Sequence, residues 1–177
     1  AITPNRQDCL GVRGIARDLA AKGIGTLRPR RIEPVPGRFA SPLTVRLDLP
    51  AGAQDACPYF VGRMVRGVRN GPSPRWLQDR LVAIGLRPIS ALVDITNYMT
   101  FDVGRPLHVF DASKVSGGIV VRLARQGETI AALNGKSYAL SGSETLISDE
   151  SGAAEGLGGV IGGEESGCTE ATTEVFI

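Results

Sequence analysis

Residues 117–140 read GGIVVRLARQGETIAALNGKSYAL, and this stretch decides the class of the fold. Ile119, Val120 and Val121 open a strand, Gln126-Gly127 turns it, and Ile130 to Leu133 leads into Asn134-Gly135. An Asn-Gly pair between apolar runs is the strongest short-range hairpin signal, because a tight turn demands backbone angles that these residue types tolerate. Thr145 to Ser148 predicts a further strand, with a turn near Ser151-Gly152. From Gly117 onward the texture is β.

Upstream of this stretch the pattern is helical. Residues 8–22 predict a helix capped by Asp8, with Val12, Ile15, Ala16 and Leu19 on one face and Gly23 at its end. Leu27 to Pro42 is rich in Pro, Arg and Gly and reads as linker. Leu43, Val45, Leu47 and Leu49 alternate with Thr44, Arg46 and Asp48, the period of a half-buried strand ending at Pro50. Tyr59 to Val68 predicts a second strand, with Gly62 as a bulge or a point of close approach. Ser73 as N-cap, Pro74 at the first helical position and Gly85 as left-handed cap bracket a helix with Leu77, Leu81 and Ile84 on its apolar stripe. A third helix starts after Ser90 and carries Leu92, Val93, Ile95 and Met99. Helices first and sheet later make an α+β chain, divided into an N-terminal helix and linker (1–42) and a main domain (43–177).

The net charge of +2 over 177 residues excludes a strongly basic nucleic-acid binder by sum. The distribution is uneven, however: Arg63, Arg66, Arg69, Arg75, Arg80 and Arg87 crowd one stretch, either a solvated face or a contact for a phosphate backbone. Cys9, Cys57 and Cys168 are odd in number and lack metal-ligand spacing, so neither a metal site nor a disulfide framework is expected and a reducing cytoplasm fits. No apolar run approaches the roughly 18 residues of a membrane helix. The start at Ala1 and the strand-like end at Val175-Phe176-Ile177 read as a piece cut from a longer chain.

The only histidine, His108, follows Arg105-Pro106-Leu107 and precedes Val109-Phe110-Asp111. It is either a structural core residue or an active-site group held by the rigid Pro106, with Asp111 or Asp102 available to orient the ring. Leu157-Gly158-Gly159-Val160-Ile161-Gly162-Gly163 offers bare main chain and backbone donors; tight turns and bulges are the alternative. The glycine spacing fits neither a dinucleotide fingerprint nor a Walker loop. No nucleophile stands out, and no reaction type follows from these residues alone.

Five segments, Thr3–Leu10, Asn70–Leu77, Val93–Tyr98, Gly104–Asp111 and Gly162–Gly167, closely resemble the beta subunits of bacterial phenylalanyl-tRNA synthetases. The resemblance implies a three-layer α+β module with a β-sandwich-like mixed sheet and a hydrolytic editing site that removes tyrosine from mischarged tRNA(Phe). It implies that Thr96 and Asn97 wall the pocket, that His108 is its histidine, and that Gly158, Gly159 and Gly162 lie against the amino acid. Arg63, Arg66, Arg69 and Arg87 are the expected tRNA contacts. The family's glutamate that reads the tyrosine hydroxyl falls immediately after Ile177. The whole enzyme implied is a cytoplasmic heterotetramer with an alpha subunit, using ATP and magnesium, whereas no cofactor is expected on this segment. A non-catalytic tRNA- or subunit-binding module is the competing expectation.

Overall fold

The computed structural model describes residues 2–177, which fall into two compact units, each built from two separate stretches of chain. One unit comprises Ala1–Ala40 and Gly71–Leu107, the other Ser41–Asn70 and His108–Ile177. The α+β class expected from the sequence is the class observed.

The first unit holds three helices: α1 (Val12–Ala21), α2 (Arg75–Ala83) and α3 (Ala91–Val103). Asp8 does not cap α1; Gly11 holds that position, and Asp8 lies in a 3-10 turn over Gln7–Cys9. The Asp8 carboxylate is instead held by Arg6 and Arg17, and the turn packs closely: a Cβ on Gly14 would stand 1.8 Å from the Asp8 carbonyl oxygen, and one on Gly11 would stand 2.4 Å from the Gly104 nitrogen. Ser73 is likewise not a cap. Pro74 takes that place, and the Ser73 hydroxyl donates to Asp94 Oδ2 at 2.5 Å. Asp94 is fully buried, and its other oxygen accepts from the Ile89 amide at 2.8 Å. A carboxylate removed from water needs such donors, so Ser73 spends its hydroxyl on tying α2 to α3. Gly104 ends α3 in the left-handed conformation at φ 71°.

The second unit is built on a five-stranded sheet in the order β1 (Thr44–Asp48), β4 (Gly118–Leu123), β7 (Thr145–Asp149), β8 (Ala154–Leu157), β9 (Ile161–Gly162). Only β1 and β4 run parallel; the other neighbours are antiparallel. Three further strands, β2 (Met64–Arg66), β10 (Glu174–Phe176) and β3 (Phe110–Asp111), form an antiparallel sheet in that order. Met64, Phe110 and Phe176 from this small sheet share one core with Ile119 and Val121 of β4, which gives the sandwich-like packing. The strand expected over Tyr59–Val68 contracts to β2. Gly62 is the close-approach point, since a Cβ there would stand 1.9 Å from the Phe176 ring.

β5 (Thr129–Ala131) and β6 (Ser137–Ala139) make the expected hairpin, by a different turn. Only Gly135 has positive φ; Ala132 and Lys136 pair across a loop of residues 133–135, so this is a three-residue turn with a glycine bulge. Ile130 and Leu140 from this arm pack with Leu146 of β7 in a second core cluster.

Candidate active site around His108

His108 leads into β3, whose pairing with β10 fixes the direction of the chain. Its ring meets Phe110 edge-on, with centroids 4.5 Å apart and planes at 67°. On the far strand of the large sheet, Gly162 of β9 pairs with Gly156 of β8. A Cβ built on Gly162 would stand 2.2 Å from His108 Cε1 and 2.8 Å from Nε2. The histidine and the glycine-rich segment are therefore direct neighbours, and Gly162 is required by the imidazole itself.

Burial pushes the His108 pKa below its ordinary value, so the ring is a neutral imidazole at pH 7. Nε2 is buried and has no hydrogen-bond partner among the described residues. Neither carboxylate expected to orient the ring does so. Asp111 Oδ1 accepts from the Ser113 amide and hydroxyl, and Oδ2 from the Thr172 hydroxyl at 2.5 Å, a cap for the turn after β3. Asp102 is paired with Arg30 at 3.3 Å in the helical unit.

The glycine segment is a turn between two short strands. Val160 donates to Leu157 O at 3.0 Å, Gly159 sits at the third turn position with φ 70°, and Gly158 donates to Thr145 O at 2.8 Å. Gly163 donates to Glu155 O at 2.7 Å. The amides of Gly158, Val160 and Gly163 are thus committed to the fold, and the backbone donors expected here reduce to fewer than the glycine density suggests.

Beneath this segment lies a pair that the sequence did not single out. Glu155 on β8 is 2% exposed and Ser166 is 1% exposed, and neither Glu155 Oε2 nor Ser166 Oγ has a hydrogen-bond partner among the described residues. Burial pushes the Glu155 carboxyl up, with Asp149 and Glu165 adding to the effect and Ser166 opposing it. An acidic residue between Ala154 and Gly156, inside a strand, was the only signal in the sequence.

Thr96 and Asn97 lie on α3 in the helical unit; the Thr96 hydroxyl donates back to Val93 O at 2.8 Å. Arg63, Arg66, Arg69 and Arg87 are all exposed, and Arg66 is paired with Glu174 at 3.3 Å. Asp8, Cys9 and Asp18 bring possible ligand atoms within 4.8 Å of one another, but Arg6 and Arg17 are hydrogen-bonded to both carboxylates and supply the positive charge a cation would. Two shallow clefts, about 240 and 260 Å³, are lined by Leu47, Gln54 and Cys57 and by Asp8, Arg13 and Arg17; neither contains His108. No helix among the described residues is long and apolar enough to cross a membrane.

The chain has counterparts among known proteins. The model of the B3/4 domain matches residues 56–177. Over the whole of this chain, the phenylalanine–tRNA ligase beta subunit of Paramagnetospirillum magneticum is 64% identical and that of Ruegeria pomeroyi 60%, the chain spanning 22% of each. In fold it is similar to an N-terminal fragment of the phenylalanyl-tRNA synthetase beta subunit from Pyrococcus horikoshii, with a TM-score of 0.57 at 20% identity over 97% of this chain and 51% of that one. With the domain model matched across most of its length, the chain belongs to the B3/4 domain family.

Proposed function

We propose that this chain is the editing module of a phenylalanyl-tRNA synthetase beta subunit and hydrolyses tyrosine mistakenly esterified to tRNA(Phe). The observation that carries this reading is the packing of His108 on Gly162, beside a glycine turn, in a chain so similar to that subunit. The need is physical: a synthetic pocket shaped for phenylalanine cannot strongly reject an analogue that only adds a hydroxyl, so a second site must test the product.

In the proposed reaction a water molecule attacks the ester carbonyl, the bond from that carbon to the ribose oxygen breaks, and the released ribose oxygen takes up a proton. A neutral imidazole is suited to holding this water by its lone pair. Burial keeps His108 in that form. Main-chain N–H groups stabilise the developing oxyanion in this reading. Gly158, Gly159 and Gly162 wall the pocket on the side of the amino acid. Activation of phenylalanine with ATP and magnesium, pairing with an alpha subunit in a heterotetramer, and a cytoplasmic setting belong to the whole enzyme of this reading.

The test is His108→Ala in the full-length enzyme: deacylation of tyrosyl-tRNA(Phe) falls by about 10²-fold, the scale of a positioned proton-handling group, while phenylalanine charging is unchanged. Undiminished deacylation rejects the role. The second reading is a non-catalytic module that grips tRNA or the alpha subunit, favoured by the exposed Arg63, Arg66, Arg69 and Arg87. Steep salt dependence of tRNA binding without ester hydrolysis selects it.

A further inference from the structure

On the helical unit, α2 and α3 present an aromatic pair with a cation against it. Trp76 is 53% exposed, and its ring stands edge-on to Tyr98 at 87° with centroids 5.8 Å apart. The Arg80 guanidinium lies 5.3 Å from the Trp76 centroid and 5.6 Å from that of Tyr98, and its Nη1 donates to the Tyr98 hydroxyl at 2.7 Å. Arg80 therefore rests on two π-faces in a fixed orientation. Among the described residues no carboxylate pairs with it, whereas Arg75, next to Trp76, is neutralised by Asp79 at 2.8 Å.

We propose that Trp76, Arg80 and Tyr98 form a stacking site for an unpaired base near the 3′ end of the RNA, a proposal that rests on the tRNA reading above. An indole half open to solvent offers a flat apolar surface of the size of a base. The adjacent cation, free of any carboxylate, faces the phosphate that accompanies that base. Bases inside a duplex have no free π-face, so the site selects single-stranded ends. A purely apolar protein partner would leave the Arg80 charge buried without a counter-ion, at a cost that an RNA phosphate removes.

Trp76 is the only tryptophan of the chain, so its emission reports the site directly. Titrating an uncharged single-stranded RNA of about 12 nucleotides quenches that emission, and a blunt duplex of the same sequence does not. In the full-length enzyme, Trp76→Ala weakens binding of uncharged tRNA with an unpaired 3′ end about tenfold, the scale of one base–aromatic stack. Trp76→Phe restores most of the loss, and Arg80→Gln lowers the salt dependence of binding. RNA whose 3′ end is paired binds wild type and Trp76→Ala alike. Equal affinity of wild type and Trp76→Ala for unpaired ends, with unquenched emission, overturns the proposal. An altered subunit assembly without any RNA effect also overturns it and assigns the face to a protein contact. Affinity for uncharged RNA needs no ester chemistry, so this proposal and the His108 reading can each fail alone.

Discussion

The imidazole of His108 occupies the space that a side chain on residue 162 would need: a Cβ on Gly162 would come within 2.2 Å of Cε1. The two residues are far apart in sequence and come from different sheets, β9 of the five-stranded one and the approach to β3 of the three-stranded one. Their contact joins the glycine turn to the only imidazole of the chain.

Gly162→Ala forces that ring or the β9 strand to move. Overpacking of this kind costs about 1–3 kcal/mol, read as a lower urea midpoint at unchanged slope. On the proposed editing role, deacylation of tyrosyl-tRNA(Phe) by the full-length enzyme falls with it. A variant with wild-type stability and activity contradicts the packing described.

His108 titrates below its ordinary value because burial disfavours the charged ring. The folded state binds fewer protons than the unfolded one near pH 6.5. This contribution to stability is present above the unfolded pKa and is lost as pH falls through the folded value. With one histidine in the chain, its Hε1 resonance is assigned without ambiguity. A midpoint above 6.5 contradicts the burial.

Glu155 behaves in the opposite sense. Its folded pKa is raised by burial, so its contribution is fully present below the unfolded value of 4.5 and is lost as pH rises through the folded one. Glu155→Gln removes the ionisation, keeps the shape, and offers an amide to the Ser166 hydroxyl, whose oxygen has no hydrogen-bond partner among the described residues. Above the folded pKa it stabilises the protein by on the order of 1 kcal/mol, the scale of one satisfied buried group, and it flattens the decline of stability as pH rises above 4.5. An unchanged decline rejects this assignment.

Arg122 and Glu128 form a two-pronged ion pair at 2.6 and 2.9 Å, largely buried between β4 and the hairpin arm. The Arg122 guanidinium holds Glu128 down to about 2. The stability it supplies is present above 4.5 and is lost as pH falls toward 2. Glu128→Ala leaves the buried cation unpaired and costs about 3 kcal/mol at pH 7, measured by urea denaturation. A loss below 1 kcal/mol, the level of an exposed pair, contradicts that burial.

The sequence disclosed elements better than partnerships. The strand around Val45, the β-branched run at Ile119, the helix ends at Gly23 and Gly85 and the turn at Gly152 depend on local chemistry, and each lies where the pattern put it, although Leu47, expected on the buried face of its strand, is exposed. Ser73 and Asp8 were misread as caps because a cap signature cannot reveal that a buried Asp94, or the guanidinia of Arg6 and Arg17, will claim the same side chain. Asp111 was read as a partner for His108 from proximity in sequence. Its carboxylate instead satisfies Ser113 and Thr172, the latter brought in from residues 61 positions away. The contact of His108 with Gly162 depends on two sheets coming together and had no local signature beyond the glycines themselves. A lone acidic residue such as Glu155 carries no sign of its burial until the strand is placed.

The most direct measurement is a structure of the full-length enzyme with a non-hydrolysable tyrosyl-adenosine amide, which keeps the amino acid and terminal ribose but replaces the labile ester. The account predicts the scissile carbonyl beside the His108 ring, with the amino acid against the 158–162 segment. An analogue bound at any other surface, with His108 and Gly162 untouched, contradicts it.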